Sequence, residues 1–255
     1  MELGLGLISI GRQWEHVARP IPSVEQINDL LNVAVRSGIR YFDTAPSYGA
    51  SEERFGDFLK TLNSDQLQNV IVATKCGEHW DTVTSTPHVD HSYEALCTSI
   101  DQSFTNLPKI DIMQIHKATP RVLADKEVQR ALEYAKAKGV TWLGVSASDL
   151  ETAKTAVANP LFSLLQFPFN QLNQMMKEIF ALAWTAGKIV FVNRPLGMGS
   201  MMYTEEGDPK GEAALMEAYK EVVSQQFQGA VLSGTSSAEH LKQNLRAFQK
   251  ATAKG

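Results

Sequence analysis

The sequence predicts a (β/α)8 barrel, the TIM-barrel fold of the α/β class, as a single domain spanning residues 1–255. Short apolar runs typical of buried strands alternate with longer segments of helical periodicity, giving eight pairs in 255 residues. No Pro/Gly/Ser-rich linker or low-complexity segment divides this succession. A doubly wound parallel sheet is the alternative. It usually carries a glycine-rich phosphate turn after its first strand, and this chain has no G-x-G-x-x-G motif there.

The eight strand–helix pairs follow one another in order along the chain. A strand is predicted where apolar residues run together, and a helix where they recur three or four positions apart. The first helix, for example, carries Ile27, Leu30 and Leu31 on one face, and Gly139 ends the fourth. The strands are predicted at residues 3–10, 39–42, 70–74, 110–115, 140–145, 161–167, 188–192 and 230–233. The helices are predicted at residues 24–37, 52–62, 92–105, 126–138, 150–157, 175–186, 211–226 and 238–250.

The composition is that of an ordinary globular protein, with 44% hydrophobic residues and a formal net charge of −4. Because no run of Lys and Arg is present, we expect no nucleic-acid partner. Two cysteines, Cys76 and Cys97, are too few for a disulfide framework and indicate a reducing compartment. The apolar stretch at residues 3–10 is too short for a membrane span and no positive cluster precedes it. We therefore expect a cytoplasmic protein without a membrane partner, and a monomer, because no spare apolar stripe is left over.

Polar side chains with catalytic potential follow three neighbouring strands. Asp43 comes at the end of the second strand and Tyr48 lies in the turn after it. Lys75 follows the third strand, and His116 follows the fourth. The carboxyl ends of the strands of such a barrel meet at one rim, where chemistry takes place. Each residue alone could be a rim salt bridge or a satisfied histidine. Together they predict an active site.

The motifs that contain these residues resemble the aldo-keto reductase family, with some similarity to its aldose-dehydrogenase-like branch. The similar segments are FDTAPSYG-x-SEE-x-x-G, VATKCG, DIMQIHK, GVSAS, LLQFPFN, RPLGMGS and GTSSAEHLKQN, which cover nearly the whole chain in order. The resemblance implies an NAD(P)(H)-dependent oxidoreductase that interconverts an aldehyde, ketone or sugar hemiacetal with an alcohol or lactone. Its partner would then be a small carbonyl or sugar substrate.

The chemistry of the four rim residues agrees with this resemblance. A carbonyl that receives hydride develops negative charge on its oxygen, which needs a proton and nearby donors. Tyr48 can supply the proton, but a free phenol has a pKa of about 10. We expect the Lys75 cation to lower that pKa, and Asp43 to be the partner that a buried Lys75 needs. His116 would orient the carbonyl oxygen as a neutral donor or assist the proton transfer.

Further positions are implied by the resemblance to hold the cofactor. They comprise two residues for the nicotinamide carboxamide, a loop for the pyrophosphate, and a last loop and helix for the adenosine end. In that order they are Ser146 and Gln166; Arg194, Leu196, Gly197, Gly199 and Ser200; and Thr235, Ser236, His240, Gln243 and Asn244. For the Ser and Thr residues near a helix start, simple capping is the alternative.

Two positions depart from the pattern of the family. Asn193 stands where the family often has an aromatic residue that stacks on nicotinamide. His240 stands where an Arg usually binds the 2′-phosphate of NADPH, so a bidentate guanidinium contact is absent there. NADP(H) is the cofactor that the family resemblance predicts, and NAD(H) is the alternative.

The substrate side is expected to be open. The loop at residues 117–124 is short and the chain ends soon after its last helix, so few residues remain to close over a substrate. Trp14, Trp80 and Met198 are candidates for the pocket wall, although each could equally pack on the rim.

No metal site is expected. His79, His88 and His91 lie near Asp81 and Asp90 after the third strand, but their spacing fits no recognised metal-binding pattern. We interpret them as neighbours in a polar loop.

Two other classes of function stay open at this stage. One is a cofactor-binding auxiliary or redox-sensing barrel with little turnover, which would not need all four rim residues. The other is a barrel lyase or hydrolase that uses Lys75 as a Schiff-base amine, which would leave Tyr48 and the cofactor-like loops without a role.

Overall fold

The computed structural model describes residues 1–13, 20–81, 83–204 and 210–253. In this part of the chain eight parallel strands close into a barrel, so the predicted (β/α)8 fold is confirmed and the doubly wound sheet is wrong. The strands are β1 (Glu2–Gly6), β2 (Tyr41–Asp43), β3 (Ile71–Cys76), β4 (Glu78–Asp81), β5 (Thr86–Val89), β6 (Ile112–Ile115), β7 (Trp142–Ser146), β8 (Leu164–Pro168), β9 (Ile189–Asn193) and β10 (Gln228–Gly234).

Helices follow the barrel strands and cover the outside of the barrel. They are α1 (Ile8–Gly11), α2 (Val24–Arg36), α3 (Ser51–Leu59), α4 (Ser64–Asn69), α5 (Tyr93–Asn106), α6 (Pro120–Ala124), α7 (Lys126–Ala137), α8 (Leu150–Ala158), α9 (Lys177–Thr185), α10 (Glu212–Val223) and α11 (Ala238–Thr252). The short helices α4 and α6 were not predicted. Both begin at a side-chain cap, Asn63 for α4 and Thr119 for α6, and each is too short to show a helical apolar repeat. None of the helices in the described residues has the length and apolarity to cross a membrane.

The order of strands around the barrel is β1, β10, β9, β8, β7, β6, β3, β2 and back to β1. Strands from the two ends of the sequence therefore pair directly, as in the register of Leu3 with Val231. The strands β4 and β5 stand outside this ring and form an antiparallel hairpin. The sequence led us to expect a polar loop there, because neither strand has the apolar alternation that marks a half-buried sheet.

The first strand is shorter than predicted. It ends at Gly6 rather than at residue 10, and Ile8–Gly11 forms a helical turn. Pairing with β2 ends at Gly6 and Asp43, and the Leu7 N–H then donates to the Asp43 carbonyl. Leu7 and Ile10 are fully buried even though they are not in the strand. The apolar run therefore continues past the strand, and an apolar run alone does not distinguish a strand from a buried turn.

The core has two layers, one inside the barrel and one between the barrel and its helices. The outer layer is the larger of the two and includes the apolar faces of the helices. The inner layer is a small apolar plug made of Ala73, Ile112, Leu164, Phe191, Ala230 and Leu232. Gly4 allows the backbone to approach this plug, because a Cβ there would lie 2.9 Å from Leu232. Above the plug, toward the carboxyl ends of the strands, the inward-facing side chains are polar.

Candidate active site

The centre of the polar layer is a buried ion pair between Lys75 of β3 and Asp43 of β2. The Lys75 Nζ donates to Oδ1 and Oδ2 of Asp43 and to the Thr44 carbonyl, each at 2.8 Å. The Lys75 side chain is only 1% exposed. All three N–H groups of the ammonium are thus used within the protein, which compensates for the loss of its hydration.

Two glutamine side chains complete the shell around Asp43. The Gln114 Nε2 donates to Oδ1 and the Gln166 Nε2 to Oδ2, both at 3.1 Å. Gln114 was not predicted as a site residue. It lies two positions before His116, so the alternation of side chains along a strand places it on the inner face of β6. That spacing was the signal that could have identified it.

Tyr48 lies beside the ion pair, in the 3₁₀ turn Pro46–Tyr48 that follows β2. The Lys75 Nζ is 4.8 Å from the centre of the Tyr48 ring. The ring of His116, directly after β6, lies 6.0 Å from the Tyr48 ring in an edge-on arrangement. The structure therefore brings Asp43, Tyr48, Lys75 and His116 together at one rim of the barrel.

The charge states of Lys75 and Tyr48 follow from their partial or complete removal from water, since Lys75 is buried and Tyr48 is half-buried. Burial by itself would lower the pKa of Lys75, but the charges and hydrogen bonds of Asp43 and Tyr48 outweigh it and the pKa is raised. The pKa of Tyr48 is raised, most strongly by burial and further by the charge of Asp43. Lys75 opposes this rise in the Tyr48 pKa, but its charge is already paired with Asp43. The expectation of a lowered Tyr48 pKa was therefore wrong, and Tyr48 is a protonated phenol at neutral pH.

His116 is buried and neutral. Burial lowers its pKa well below the ordinary value, and the nearby cations Lys75, Lys117 and Arg12 add to the effect. The His116 Nδ1 lies 3.1 Å from a carboxylate oxygen of Glu78 and 3.4 Å from the Ser47 hydroxyl. Glu78 was not predicted as a site residue, because it stands in the hairpin that we interpreted as a loop.

The other half of the rim carries the residues predicted for the nicotinamide. Ser146, the last residue of β7, is the register partner of Gln166 in the middle of β8. The Gln166 Oε1 and the Asn193 Oδ1 are buried and have no hydrogen-bond partner among the residues that the structure describes. A buried acceptor without a donor is costly. The carboxamide N–H2 of a nicotinamide is a donor of the kind that Gln166 lacks, so these residues fit such a group.

The loop after β9 has the backbone shape of an anion site. Arg194, Gly197, Met198 and Gly199 have φ values of 55°, 57°, 58° and 91°. Successive turns of this kind point backbone N–H groups into one concave surface, which fits a pyrophosphate. Within the loop the Ser200 hydroxyl donates to the Gly197 carbonyl at 2.7 Å. Leu196 packs against the outer core, while the Arg194 side chain is exposed.

The predicted adenosine residues are divided between the surface and the interior. Thr235 accepts the Ser237 N–H at 3.1 Å, and Ser237, which was not predicted, caps α11. Asn244 is buried and donates to the Ser233 hydroxyl at 2.8 Å, so its amide nitrogen is already used by the fold. His240 is exposed on α11, and the side chains of Ser236 and Gln243 are half-buried.

The expected pocket walls are found in part. Trp80 lies beneath the guanidinium of Arg12, 4.8 Å from the ring centre. Met198 is exposed at the tip of its loop, and Trp14 lies outside the described residues.

In the hairpin, His79 and His88 are cross-strand partners with stacked rings 5.2 Å apart. The described residues contain no group of three or more side chains that could hold a metal ion.

Comparison with known proteins gives the family. The sequence model of the Aldo/keto reductase family matches residues 2–225. The chain belongs to this family. Family members are NAD(P)(H)-dependent oxidoreductases of carbonyl and alcohol groups, and this aldo/keto reductase shares that class.

Individual relatives of this aldo/keto reductase are distant. It is 24% identical over 279 residues to the uncharacterized oxidoreductase YqkF of Bacillus subtilis, covering 96% of this chain and 86% of that one. It is 29% identical over 198 residues to the L-galactose dehydrogenase of Arabidopsis thaliana, covering 72% of this chain and 59% of that one. The holo form of aldo-keto reductase AKR11C1 from Bacillus halodurans shares the fold, with a TM-score of 0.79 and 21% identity, covering 99% of this chain and 87% of that one.

Proposed function

We propose that this aldo/keto reductase interconverts a carbonyl or sugar hemiacetal with an alcohol or lactone, using Tyr48 as the general acid and base. The arrangement of Tyr48 beside the Lys75–Asp43 pair carries this proposal, because it holds a protonated phenol next to a fixed cation at the barrel rim. The nicotinamide, when bound, supplies or accepts the hydride. The residues of the chain handle the proton and the charge on oxygen.

Tyr48 donates a proton to the substrate oxygen as negative charge develops there. A positioned proton donor of this kind contributes about 10²–10⁴-fold to the rate. Lys75 stabilises the phenolate that remains, because its ammonium stays charged and close to the ring. Asp43 holds the Lys75 ammonium in place, and Gln114 and Gln166 hold Asp43.

The cofactor is proposed to lie across the ends of β7 to β10. Ser146 and Gln166 bind the carboxamide, the backbone of the loop at residues 194–200 binds the pyrophosphate, and the start of α11 faces the adenosine. The Gln166 Oε1, which no described residue contacts as a donor, and the left-handed backbone of that loop support this assignment. This cofactor position is compatible with both NADP(H) and NAD(H). His240 provides no guanidinium that would favour the 2′-phosphate of NADP(H).

Replacing His240 by Arg is expected to shift the preference between the two cofactors. A guanidinium on α11 would add a charge-assisted hydrogen bond to the 2′-phosphate of NADPH only. We expect the ratio of the NADH Kd to the NADPH Kd to rise about tenfold, measured by fluorescence titration. Lys242→Arg, which places a guanidinium on another face of α11, is the matched control. An unchanged ratio in His240→Arg would mean that His240 does not face the adenosine ribose.

The substrate is proposed to be a small carbonyl compound or a sugar. The relatives include a protein named L-galactose dehydrogenase and another named D-threo-aldose 1-dehydrogenase, both of which are sugar oxidoreductases by name. The test is a panel of aldoses, alcohols and aldehydes with each cofactor, followed by the absorbance of the reduced nicotinamide. We expect turnover with at least one member. Tight cofactor binding without turnover across the panel would favour an auxiliary, non-catalytic barrel instead.

A Schiff-base role for Lys75 is disfavoured. An amine must be unprotonated to attack a carbonyl, and the pKa of Lys75 is raised. Its ammonium also donates to Asp43 and Thr44 and makes a hydrogen bond with Tyr48.

We further infer that residues 1–255 act as one catalytic domain, in a monomer of the cytoplasm. The pairing of β1 with β10 supports the single domain, since the barrel closes only when both ends of the chain are present.

A further inference from the structure

Arg12, the residue directly after α1, has a guanidinium that lies over the ring of Trp80 in the hairpin, 4.8 Å from the ring centre. Both residues are half-buried. The loop of Arg12 follows β1 and the hairpin follows β3, and β2 lies between these two strands in the barrel. The contact of Arg12 with Trp80 therefore reaches across the sector of the rim where the turn after β2 carries Tyr48.

The backbone that leads to Arg12 is packed against the Tyr48 turn. A Cβ on Gly11 would lie 1.9 Å from the Tyr48 carbonyl oxygen. The Arg54 Nη1 of α3 donates to the Ile10 carbonyl at 2.6 Å and holds the same segment from the helix side. The position of Arg12 beside the turn is thus fixed by the fold.

The Trp80 side chain is on the face of β4 that looks toward the candidate active site. Side chains two positions apart on a strand share a face, so Trp80 is on the same side as Glu78, about 7 Å further along. Glu78 lies 3.1 Å from the Nδ1 of His116. Arg12 and Trp80 therefore line the same part of the barrel mouth as Tyr48 and His116.

The Arg12 guanidinium has a donor that the described protein does not use. Its Nε is buried and has no hydrogen-bond partner among the described residues. A buried donor without an acceptor is costly. The Nε–H and one Nη–H of a guanidinium point the same way and form a fork that matches the two oxygens of a carboxylate. The face of the Trp80 ring makes a cation–π contact and does not occupy this fork.

Arg12 also carries a charge that no described carboxylate compensates. Lys75 is paired with Asp43, and Lys117 is paired with Glu78. The ion pairs within the described ranges of the chain do not include Arg12. One uncompensated positive charge favours a singly charged anion. A carboxylate has that charge, whereas a phosphate monoester carries about −1.5 to −2.

We propose that Arg12 binds a carboxylate of the substrate while Tyr48 meets its carbonyl oxygen, so that the preferred substrates are oxo acids and the corresponding hydroxy acids. Trp80 holds the guanidinium in place for this contact. The inference rests on the proposed function, which puts the reacting oxygen at Tyr48. It narrows the small carbonyl or sugar substrate to one that carries an acid group.

The substrate preference is tested with pairs of probes that differ in charge. The acids are 4-oxobutanoate, 5-oxopentanoate and 6-oxohexanoate, and each is compared with its methyl ester in the presence of the cofactor that the enzyme binds. Three chain lengths cover the reach between the two ends of the substrate. We expect the wild-type kcat/KM to be at least about tenfold higher for the acid than for its ester at one length or more. Equal values at every length would overturn the proposal.

Arg12→Met keeps an unbranched apolar side chain and removes the fork. We expect it to lower the acid-to-ester ratio of kcat/KM about tenfold or more, with the ester itself within about threefold of its wild-type value. Arg12→Lys keeps the charge without the fork and should be intermediate. Arg40→Met is the matched control, because it removes a guanidinium that lies over Tyr41 at the start of β2, and the ratio should not change. An unchanged ratio in Arg12→Met would contradict the proposal.

A binding measurement separates this inference from the proposed function. The indole N–H signal of Trp80, identified in ¹H–¹⁵N spectra by its loss in Trp80→Phe, is followed without cofactor as pentanoate or the uncharged pentanamide is added. We expect pentanoate alone to shift this signal, and Arg12→Met to abolish the shift. A signal that does not respond to pentanoate would contradict the carboxylate subsite, even in an enzyme that reduces neutral aldehydes.

Failure of the proposed function would appear differently, as an absence of cofactor binding and of turnover with acids and esters alike, while the pentanoate result stands by itself. The two wild-type comparisons, acid with ester and pentanoate with pentanamide, decide the proposal even if Arg12→Met fails to fold.

Discussion

Tyr48→Phe is expected to lower kcat by about 10²–10⁴-fold, because it removes the proton donor and leaves the ring in place. Cofactor affinity is expected to stay within about threefold of the wild type, since the hydroxyl acts in the transition state. The measurement is kcat with the best substrate of the panel, together with the Kd of the reduced cofactor.

Tyr41→Phe is the matched control for this prediction. Tyr41 is on the same strand, β2, but its ring packs edge-on against Phe191 of the apolar plug, 5.4 Å between centres. The Tyr41 ring therefore lies toward the apolar plug and not toward the ion pair. We expect the kcat of the Tyr41→Phe variant to be close to that of the wild type. A Tyr48→Phe protein that kept most of the wild-type kcat would show that Tyr48 is not the proton donor.

Lys75→Met is expected to damage both stability and catalysis. It leaves the buried carboxylate of Asp43 without its cation, and breaking a buried ion pair from one side costs about 3–5 kcal/mol in the free energy of unfolding. It also removes the cation beside Tyr48, so we expect kcat to fall by about 10²-fold or more. Urea unfolding and kcat are the two measurements.

The two effects of Lys75→Met can be separated by two further variants. In the Asp43→Asn, Lys75→Met double variant the uncompensated charge is gone, so part of the stability should return while kcat stays low. In Lys188→Met, a half-buried amine that donates to the carbonyls of Asn159 and Phe162 is lost, so kcat should be unaffected. If Lys75→Met were as stable as the wild type, the buried pair would not have the strength that its geometry indicates.

The sequence predicted the barrel well because each strand–helix pair has its own periodicity. It also predicted which residues share the rim, since Asp43, Lys75 and His116 each come at or directly after the end of a strand. These are local features, and a parallel barrel brings the ends of its strands together. The end of β1 was missed because Leu7 and Ile10 are as apolar as strand residues.

The electrostatics of the candidate site could not be predicted from the sequence. The raised pKa of Tyr48 depends on how far Asp43 neutralises Lys75 and on how much water the turn excludes, and both are properties of the folded site. The contact of Glu78 with His116 depends on a polar hairpin that leaves no apolar pattern. Gln166 shows the difference. The sequence predicted that Gln166 is a residue of the site, but it did not predict that the Gln166 side chain donates to Asp43.

We infer that the mouth of the barrel holds a nicotinamide dinucleotide next to the four rim residues. The most direct test is a fluorescence titration of the purified protein with NADPH and with NADH. Saturable binding of at least one of them, with a Kd in the micromolar range typical of such cofactors, is the predicted result. Binding of neither up to about 1 mM would contradict the account, because Tyr48 would then have no hydride partner at this rim.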